Sequence, residues 1–280
     1  MRRIGHNARA HRMEAPPSLQ LFVLTHMLHL ERAPASTKQR RFYGAPPALP
    51  SASSETSSWE AFFKRNAANF FKDRHYIDHA YPALWTDLQS RPFRVLDLGC
   101  GVGNTALPLL EQCPLVTLAA YDCSAEAVAL LQADARFDRA RATAAVADIA
   151  SPSFAPQASS FDLALLMFVL SAIPSAAMER VVQTAATALK PGGRLLLRDY
   201  AEGDLAESRF RASSYVGRRT FARGDGSLSC FFSLAGLDAL LRASGLCKQS
   251  AETLLRENVN HKRNLTMARL FASVVYVKSC

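Results

Sequence analysis

One short segment limits the possible folds of this chain more than any other. Residues 95–105 read Val-Leu-Asp-Leu-Gly-Cys-Gly-Val-Gly-Asn-Thr, an apolar run followed by three alternating glycines and the start of a helical pattern. Glycines adopt positive φ easily and let a ligand approach the backbone. The segment therefore predicts a β-strand, a ligand-binding turn and a helix. An ordinary βα turn, which would use the glycines only for their positive φ, is the less favoured interpretation.

The residues that follow alternate short apolar runs with helical segments. The predicted strands are 93–98, 115–121, 142–147, 161–170 and 193–198, and the predicted helices are 105–112, 125–133, 176–189 and 233–243. This alternation is typical of a parallel, doubly wound sheet. Two further β-like runs, 252–259 and 265–277, have no helix between them. The predicted fold class is therefore α/β, with a doubly wound, Rossmann-like sheet that ends in an antiparallel hairpin.

The first part of the chain differs in composition from the rest. Residues 1–50 contain eight Lys and Arg against two Glu, and so carry most of the formal net charge of +9. Residues 1–58 are rich in Ala, Pro and Ser and are predicted to form a disordered basic leader. A helical segment is predicted over 59–90, beginning after a Ser57 or Ser58 cap and including a helix over 76–88, and residues 91–280 form the α/β domain.

Several classes of protein are disfavoured by the composition. The six cysteines include no Cys-x-x-Cys pair, and their scatter indicates neither a disulfide framework nor a zinc site. His75 and His79 have the i, i+4 spacing of two metal ligands, but no further ligand is near them in sequence, so no metal is expected. No apolar run has the length of a membrane span. We expect a cytoplasmic protein that also enters the nucleus, with a mitochondrial or plastid location as the alternative if the basic leader is a transit peptide.

The glycine turn is compatible with two cofactors. The series Gly101-x-Gly103-x-x-Ala106, with Asp122 about twenty residues further on, satisfies the dinucleotide fingerprint. Asp97 distinguishes the two, because a carboxylate at this position repels a pyrophosphate and attracts the ammonium group of a methionine moiety. S-adenosylmethionine is therefore favoured over NAD.

Two further carboxylates follow the next strands. Asp122 ends the second predicted strand, where it can accept from both ribose hydroxyls, and Asp148 ends the third, where it can accept from an adenine amino group. A single Asp in such a place is as readily a helix cap or a loop residue. Carboxylates at the ends of three successive strands, at the edge where open α/β sheets bind ligands, indicate a cofactor site.

From Trp59 almost to its end the chain resembles a known enzyme family. The resemblance is carried by Trp-Glu-Ala-Phe-Phe-Lys-Arg-Asn at 59–66, Phe-Phe-Lys-Asp-Arg-His-Tyr at 70–76, the glycine turn, and the segments 168–173, 198–200 and 223–226. These segments are similar to those of the methyltransferase-like enzymes that form 3-methylcytidine in the anticodon loop of tRNA. The resemblance implies a class I S-adenosylmethionine-dependent methyltransferase. Segments 201–230 and 256–260 resemble the branch that modifies serine tRNA with seryl-tRNA synthetase as a partner.

The resemblance also implies roles for six residues. Two aromatic residues are expected to lie over the cofactor, three residues to bind it and one to pack against its adenine: Trp59 and Phe63, then Gly99, Asp122 and Asp148, then Met167. The family commonly has Tyr where this chain has Phe63. We therefore expect the ring contact to be retained without a hydroxyl contact.

The end of the fifth predicted strand supplies the candidate catalytic pair. Ring nitrogen 3 of cytosine has an in-plane lone pair and no proton, so its methylation needs alignment and desolvation rather than a base. The Asp/Asn-Pro-Pro-Tyr signature of exocyclic-amine methylation is absent. An everted cytosine needs an acceptor for its amino group and a donor for its carbonyl. We assign Asp199 as the acceptor and Arg198 as the donor; a surface ion pair is the alternative.

Basic residues in the helical entry segment are candidate RNA contacts. Lys64, Arg65, Lys72 and Arg74 alternate with phenylalanines, an arrangement that fits phosphate binding beside stacked bases. A solvated helix face above a core stripe is the alternative. At the level of the whole protein, two alternatives stay open: the same fold could methylate a protein or a small molecule, or the chain could be a noncatalytic RNA-binding or scaffold protein.

Overall fold

A seven-stranded sheet forms the centre of the molecule. The computed structural model describes residues 52–260 and 265–279, and the predicted disorder of residues 1–51 lies outside them. The strands are β1 (Phe93–Leu98), β2 (Val116–Asp122), β3 (Ala142–Val146), β4 (Phe161–Met167), β5 (Leu189–Tyr200), β9 (Leu246–Asn260) and β10 (Leu265–Lys278). Their order across the sheet is β3-β2-β1-β4-β5-β10-β9. Strands β1 to β5 are parallel, and β10 pairs antiparallel with both β5 and β9. The predicted doubly wound sheet with a terminal hairpin is confirmed.

Helices lie on both faces of this sheet. The helices are α1 (Ala52–Asn66), α2 (Ile77–Ala80), α3 (Pro82–Ser90), α4 (Ala106–Gln112), α5 (Ala125–Ala133), α6 (Ser175–Ala188), α7 (Leu205–Ser208) and α8 (Leu234–Ala243). All seven residues of β4 are buried because helices cover it on both sides. Residues alternate between the two cores along β5: Leu195 and Leu197 pack on the side of α6 and α8, whereas Leu196 packs on the side of α3 and α4.

The structure differs from the sequence prediction in three places. Helix α1 begins at Ala52, so the predicted leader boundary at residues 58 and 59 falls inside it, because a helix nucleated by the packing of Trp59 extends into the preceding turns. The predicted helix over 76–88 is broken at Tyr81, since Pro82 disfavours helical geometry in the residue before it. A second sheet is formed by β6 (Tyr215–Gly217), β7 (Thr220–Ala222) and β8 (Leu228–Cys230). The sequence analysis assigned no helix or strand to this stretch, because strands of three residues show no periodicity.

The turn after β1 should tolerate no side chain at its third glycine. Gly103 has φ +88°, and a Cβ there would overlap Leu131 Cδ1 and lie 2.9 Å from Leu107 Cγ. We expect Gly103→Ala to lower the free energy of unfolding by about 2–4 kcal/mol, because it combines backbone strain with overpacking. Urea unfolding measures this. The matched control is Gly224→Ala, where a Cβ meets nothing within 4 Å; a loss of equal size in both variants would contradict the packing role.

Candidate active site

A cavity of about 850 Å³ lies at the carboxyl ends of the parallel strands. Its walls come from the turn after β1, from the ends of β2, β4 and β5 and from the segment after β3, and α1 contributes Thr56, Trp59 and Phe63. Its volume is in the range of cofactor and ligand sites. Nine of the predicted site residues line it together: Trp59, Phe63, Lys72, Arg74, Gly99, Gly101, Asp122, Asp148 and Met167. The sequence thus predicted the correct edge of the sheet.

The first two glycines of the turn form one wall of the cavity. Gly99 has φ +72°, and a Cβ on it would lie 2.6 Å from Val169 Cγ2. Gly101 has φ +54°, and its α-carbon faces the ring of Phe63, whose Cζ would lie 3.3 Å from an added Cβ. Gly103, in contrast, does not line the cavity and serves the packing of α4 against α5. The predicted cofactor role of Gly103 is therefore reduced to shaping the turn.

Asp122 connects the turn to the following helix. Its Oδ2 accepts from the backbone N of Gly101 at 2.8 Å, and its Oδ1 accepts from the backbone N of Ser124 at 2.9 Å. Burial raises the pKa of this carboxyl, and the two N–H donors oppose that rise. Each carboxylate oxygen can accept more than one hydrogen bond. Asp122 can therefore hold the turn and also accept from two ribose hydroxyls.

Asp97, near the carboxyl end of β1, does not itself line the cavity, but it is a buried carboxylate with an unsatisfied oxygen. It is 2% exposed, and its Oδ2 has no hydrogen-bond partner among the described residues. Burial raises its pKa to about 7, and the positive charge of Arg74 acts in the opposite direction. An ammonium group bound beneath the glycine turn would supply the missing partner. This orphaned carboxylate is the observation that fits S-adenosylmethionine and does not fit a pyrophosphate.

Three aromatic residues that follow or belong to β4, β5 and β10 also line the cavity. Phe168 lies 5.8 Å from Tyr200 and 5.4 Å from Phe271, measured between ring centroids. All three rings line the cavity, together with Arg269, whose guanidinium lies 5.5 Å from the ring centroids of Tyr200 and Phe271. Phe168 has φ +63°, a strained conformation for a bulky residue and one that clusters at functional sites. We call Phe168, Tyr200 and Phe271 the aromatic cage.

Arg269 is held in place by a buried carboxylate. Asp204 accepts from Arg269 Nε with both oxygens, at 3.0 and 2.9 Å, and also from the backbone N of Leu270 at 2.7 Å. Because Asp204 engages Nε, the terminal nitrogens of the guanidinium can face the cavity. The sequence analysis missed the aromatic cage and Arg269. Side chains alternate between the two faces of a strand, and this alternation could have identified Tyr200, which lies on the same face of β5 as Arg198.

The predicted catalytic pair does not converge on one point. Arg198 lies 4.2 Å from the ring centroid of Tyr76, and its Nε and Nη1 have no partner among the described residues. Asp199 lies on the opposite face of β5, where it accepts from the backbone N of Ser171 at 2.9 Å. Burial raises the pKa of Asp199 to about 6. Neither side chain lines the cavity. Adjacent residues of a strand point to opposite faces of the sheet, so Arg198 and Asp199 do not bind the same base as predicted. Asp199 instead holds the turn after β4.

The four predicted RNA contacts are also divided. Lys64 and Arg65 are exposed on α1, outside the cavity, and Lys72 is exposed at its rim. Arg74 is only half-buried but lines the cavity, where its Nη1 donates to Thr105 Oγ1 at 2.8 Å and its guanidinium lies 5.3 Å from the ring centroid of Phe168. Arg74 therefore belongs to the inner site, and the other three form a basic surface beside it.

The part of the chain that the structure describes contains neither a candidate metal site nor a candidate membrane span. Over residues 52–260 and 265–279 no group of three or more His, Cys, Asp or Glu side chains could hold a metal ion. Over the same residues no helix is long and apolar enough to cross a membrane.

The fold and the site together define an S-adenosylmethionine-dependent methyltransferase. A family model described as "Methyltransferase domain" matches residues 63–250. Among solved structures, the 1,6-didemethyltoxoflavin-N1-methyltransferase of Burkholderia thailandensis, solved with bound S-adenosylhomocysteine, has a similar fold, with a TM-score of 0.59. It is 20% identical, and the match covers 85% of this chain and 94% of that chain. The predicted fold class and cofactor are confirmed.

Sequence relatives narrow the class to one family. The chain is 35% identical over 226 residues to the tRNA N(3)-methylcytidine methyltransferase trm141 of Schizosaccharomyces pombe, which covers 79% of this chain and 91% of the relative. It is also 35% identical over 225 residues to the human tRNA N(3)-cytidine methyltransferase METTL6, covering 79% of each. The chain belongs to the tRNA N(3)-cytidine methyltransferase family.

The titration of Asp97 should make cofactor binding depend on pH. The ionised carboxylate attracts the ammonium group, so we expect the affinity for S-adenosylmethionine to fall as pH decreases through about 7, by up to about tenfold from pH 8 to pH 6. Because this folded-state pKa is raised from 3.8 to about 7, the protein without cofactor also loses stability as pH increases from about 4 to about 7. Calorimetric titration at several pH values measures the affinity.

The control for this titration is Asp97→Asn. This variant should bind S-adenosylmethionine weakly at pH 8, and its affinity should lose the dependence on pH near 7. An unchanged pH profile in a folded Asp97→Asn variant would assign the titration to another group.

Proposed function

We propose that this protein transfers a methyl group from S-adenosylmethionine to N3 of a cytidine in the anticodon loop of tRNA. The observation that carries the proposal is that the aromatic cage lines the same cavity as Gly99, Asp122 and Asp148. A flat base can stack on an aromatic ring that borders the cavity, and the π faces favour the cationic ring that N3 methylation creates. Family membership supports the same reaction.

The chemistry of the site agrees with this reaction. S-adenosylmethionine would supply a sulfonium methyl group as the electrophile, with a neutral thioether as the leaving group, and the N3 lone pair of the base would be the nucleophile. No proton leaves N3, so the site needs no general base. The residues of the chain position the two partners: Asp97 and Asp122 hold the cofactor, the aromatic cage holds the base, and Arg269 donates to the cytosine carbonyl.

Features outside the cavity favour a large, anionic substrate. Lys64, Arg65 and Lys72 form a basic surface next to the cavity. The β9–β10 hairpin extends past the end of β5, because residues 265–270 of β10 pair only with β9, beyond the pairing of Phe271 with Tyr200. A small-molecule enzyme needs neither a basic surface nor a projecting hairpin, so these features favour tRNA over the small-molecule alternative. The orphaned Asp97 disfavours a noncatalytic scaffold, which has no use for a buried, unpaired carboxylate.

The finer assignment is to serine tRNA. We propose seryl-tRNA synthetase as the partner, because residues 201–230 and 256–260 resemble the serine-tRNA branch. The first of these segments contains the β6–β8 sheet, and two of its residues, Arg223 and Leu228, line the cavity. We propose a cytoplasmic location, also nuclear, with the mitochondrion or plastid as the alternative on the composition of residues 1–58.

Methylation of total tRNA with labelled S-adenosylmethionine tests the function. We expect 3-methylcytidine as the labelled nucleoside, serine tRNA as the labelled species, and a higher rate when seryl-tRNA synthetase is added. Tyr200→Ala should lower kcat/KM for tRNA by roughly 10- to 100-fold through lost stacking while cofactor affinity is kept. Another labelled nucleoside would contradict the N3 assignment. Labelling confined to other tRNAs would contradict only the serine assignment.

The basic surface should contribute an affinity for tRNA that depends on salt. Replacing Lys64, Arg65 and Lys72 together by Gln should reduce the slope of log affinity against log salt by about two, since each phosphate contact contributes roughly 0.7–0.9. The phenylalanines and Arg74 are left in place, so the fold should persist, and high tRNA concentration should recover methylation. Filter binding across a salt series measures the slope.

The control for the basic surface is an arginine near the amino end of β3. Arg139 is exposed just before β3 begins, away from the cavity, and Arg139→Gln should leave the slope unchanged. If the triple variant also keeps the parental slope, the three residues are a solvated helix face and the RNA surface lies elsewhere, with Arg209, Arg211, Arg218, Arg219 and Arg223 as the next candidates.

A further inference from the structure

One carboxylate of helix α1 binds the start of α5. Glu60 Oε2 accepts from Ser124 Oγ at 2.7 Å and from the backbone N of Glu126 at 3.1 Å. Its other oxygen, Oε1, lies 3.2 Å from Lys64 Nζ. The hydrogen bond from Ser124 Oγ is the main reason that the pKa of Glu60 is lowered, so the side chain is ionised at neutral pH. A carboxylate from α1 thus caps the start of α5, where free N–H groups favour negative charge.

The same contact leads directly to the cofactor residues. Ser124 donates its backbone N–H to Asp122 Oδ1 at 2.9 Å, and Asp122 Oδ2 accepts from the backbone N of Gly101 at 2.8 Å. Ser124 also caps α5 through its side chain, which accepts from the backbone N of Ala127 at 3.1 Å. Glu60, Ser124, Asp122 and the glycine turn therefore form one continuous series of hydrogen bonds.

Glu60 also shares its helix with the residues that cover the cavity. Trp59 and Phe63 lie on either side of it in sequence and both line the cavity, with 6.1 Å between their ring centroids. The Phe63 ring faces Gly101 across the turn. If Glu60 releases the start of α5, these two rings lose the only charged anchor of α1 to α5 that the described residues show.

We propose that Glu60 is a positioning residue for S-adenosylmethionine, which holds α1 closed over the cofactor by binding the start of α5 next to Asp122. Cofactor contacts with Trp59 and Phe63 and cofactor contacts with Asp122 then strengthen each other, because each favours the same closed arrangement. The proposal adds a residue that contacts neither the cofactor nor the substrate. It concerns cofactor binding alone and does not depend on which nucleotide is methylated.

Binding of S-adenosylmethionine in the absence of tRNA tests this role. We expect Glu60→Ala to raise the dissociation constant roughly tenfold, because two hydrogen bonds to a charged acceptor are lost. In kinetic assays KM for S-adenosylmethionine should rise by a similar factor while kcat at saturation is kept. Glu60→Gln retains the shape and one acceptor oxygen, so it should fold normally and give an intermediate loss. The matched control is Glu126→Ala, which removes a carboxylate from the same contact region but keeps the backbone N–H that Glu60 binds.

Hydrogen exchange separates positioning from simple stabilisation. In the parent protein the amides of residues 52–66 should become more protected when S-adenosylmethionine binds, and in Glu60→Ala most of that added protection should be lost. A double-mutant cycle with Ser124→Ala should show that the two substitutions are not additive in their effect on cofactor affinity. The proposal is overturned if folded Glu60→Ala and Glu60→Gln bind cofactor as tightly as the parent, if Glu126→Ala weakens binding equally, or if the cycle is additive.

Discussion

The hydrogen bonds of Asp122 fix the geometry on which the rest of the site depends. This carboxylate joins the glycine turn after β1 to the start of α5, through Gly101 and Ser124. A buried carboxylate is costly unless N–H donors surround it. Two of those donors are the backbone N–H groups of Gly101 and Ser124, so the position of the Asp122 side chain follows from the course of β1, β2 and α5. Because Glu60 accepts a hydrogen bond from the same Ser124, helix α1 is also positioned by this junction.

Two buried side chains outside the lining of the cavity have polar atoms that no described residue satisfies. Asp97 Oδ2 and two nitrogens of Arg198 are buried without partners among the described residues. Such groups lower the stability of the free protein, and proteins retain them where a ligand or a function uses them. Asp97 fits a cationic ligand group for this reason. Arg198 is different, because its guanidinium packs on the rings of Tyr76 and Phe271, at 4.2 and 5.6 Å from their centroids.

The sequence indicated the cavity lining around the glycine turn far better than it indicated the aromatic cage and Arg269. The glycine turn, Asp122 and Asp148 follow consecutive strands, so chain order alone places them at one edge of the sheet. The aromatic cage depends on pairing between distant segments: Phe271 reaches Tyr200 only through the register of β10 on β5. No local pattern reveals that register. The assignment of Arg198 and Asp199 to one base, in contrast, could have been avoided, because neighbouring strand residues face opposite sides of a sheet.

One helix borders both halves of the cavity. Trp59 and Phe63 of α1 cover the cofactor half, and Ser58 meets the turn between β7 and β8, where its Oγ would lie 2.7 Å from a Cβ on Gly226. That turn follows Arg223, which lines the cavity, so α1 touches the wall of the substrate side as well as the glycine turn. Helix α1 is therefore packed between the glycine turn after β1 and the β7–β8 turn, so the positions of these two distant turns depend on the same helix.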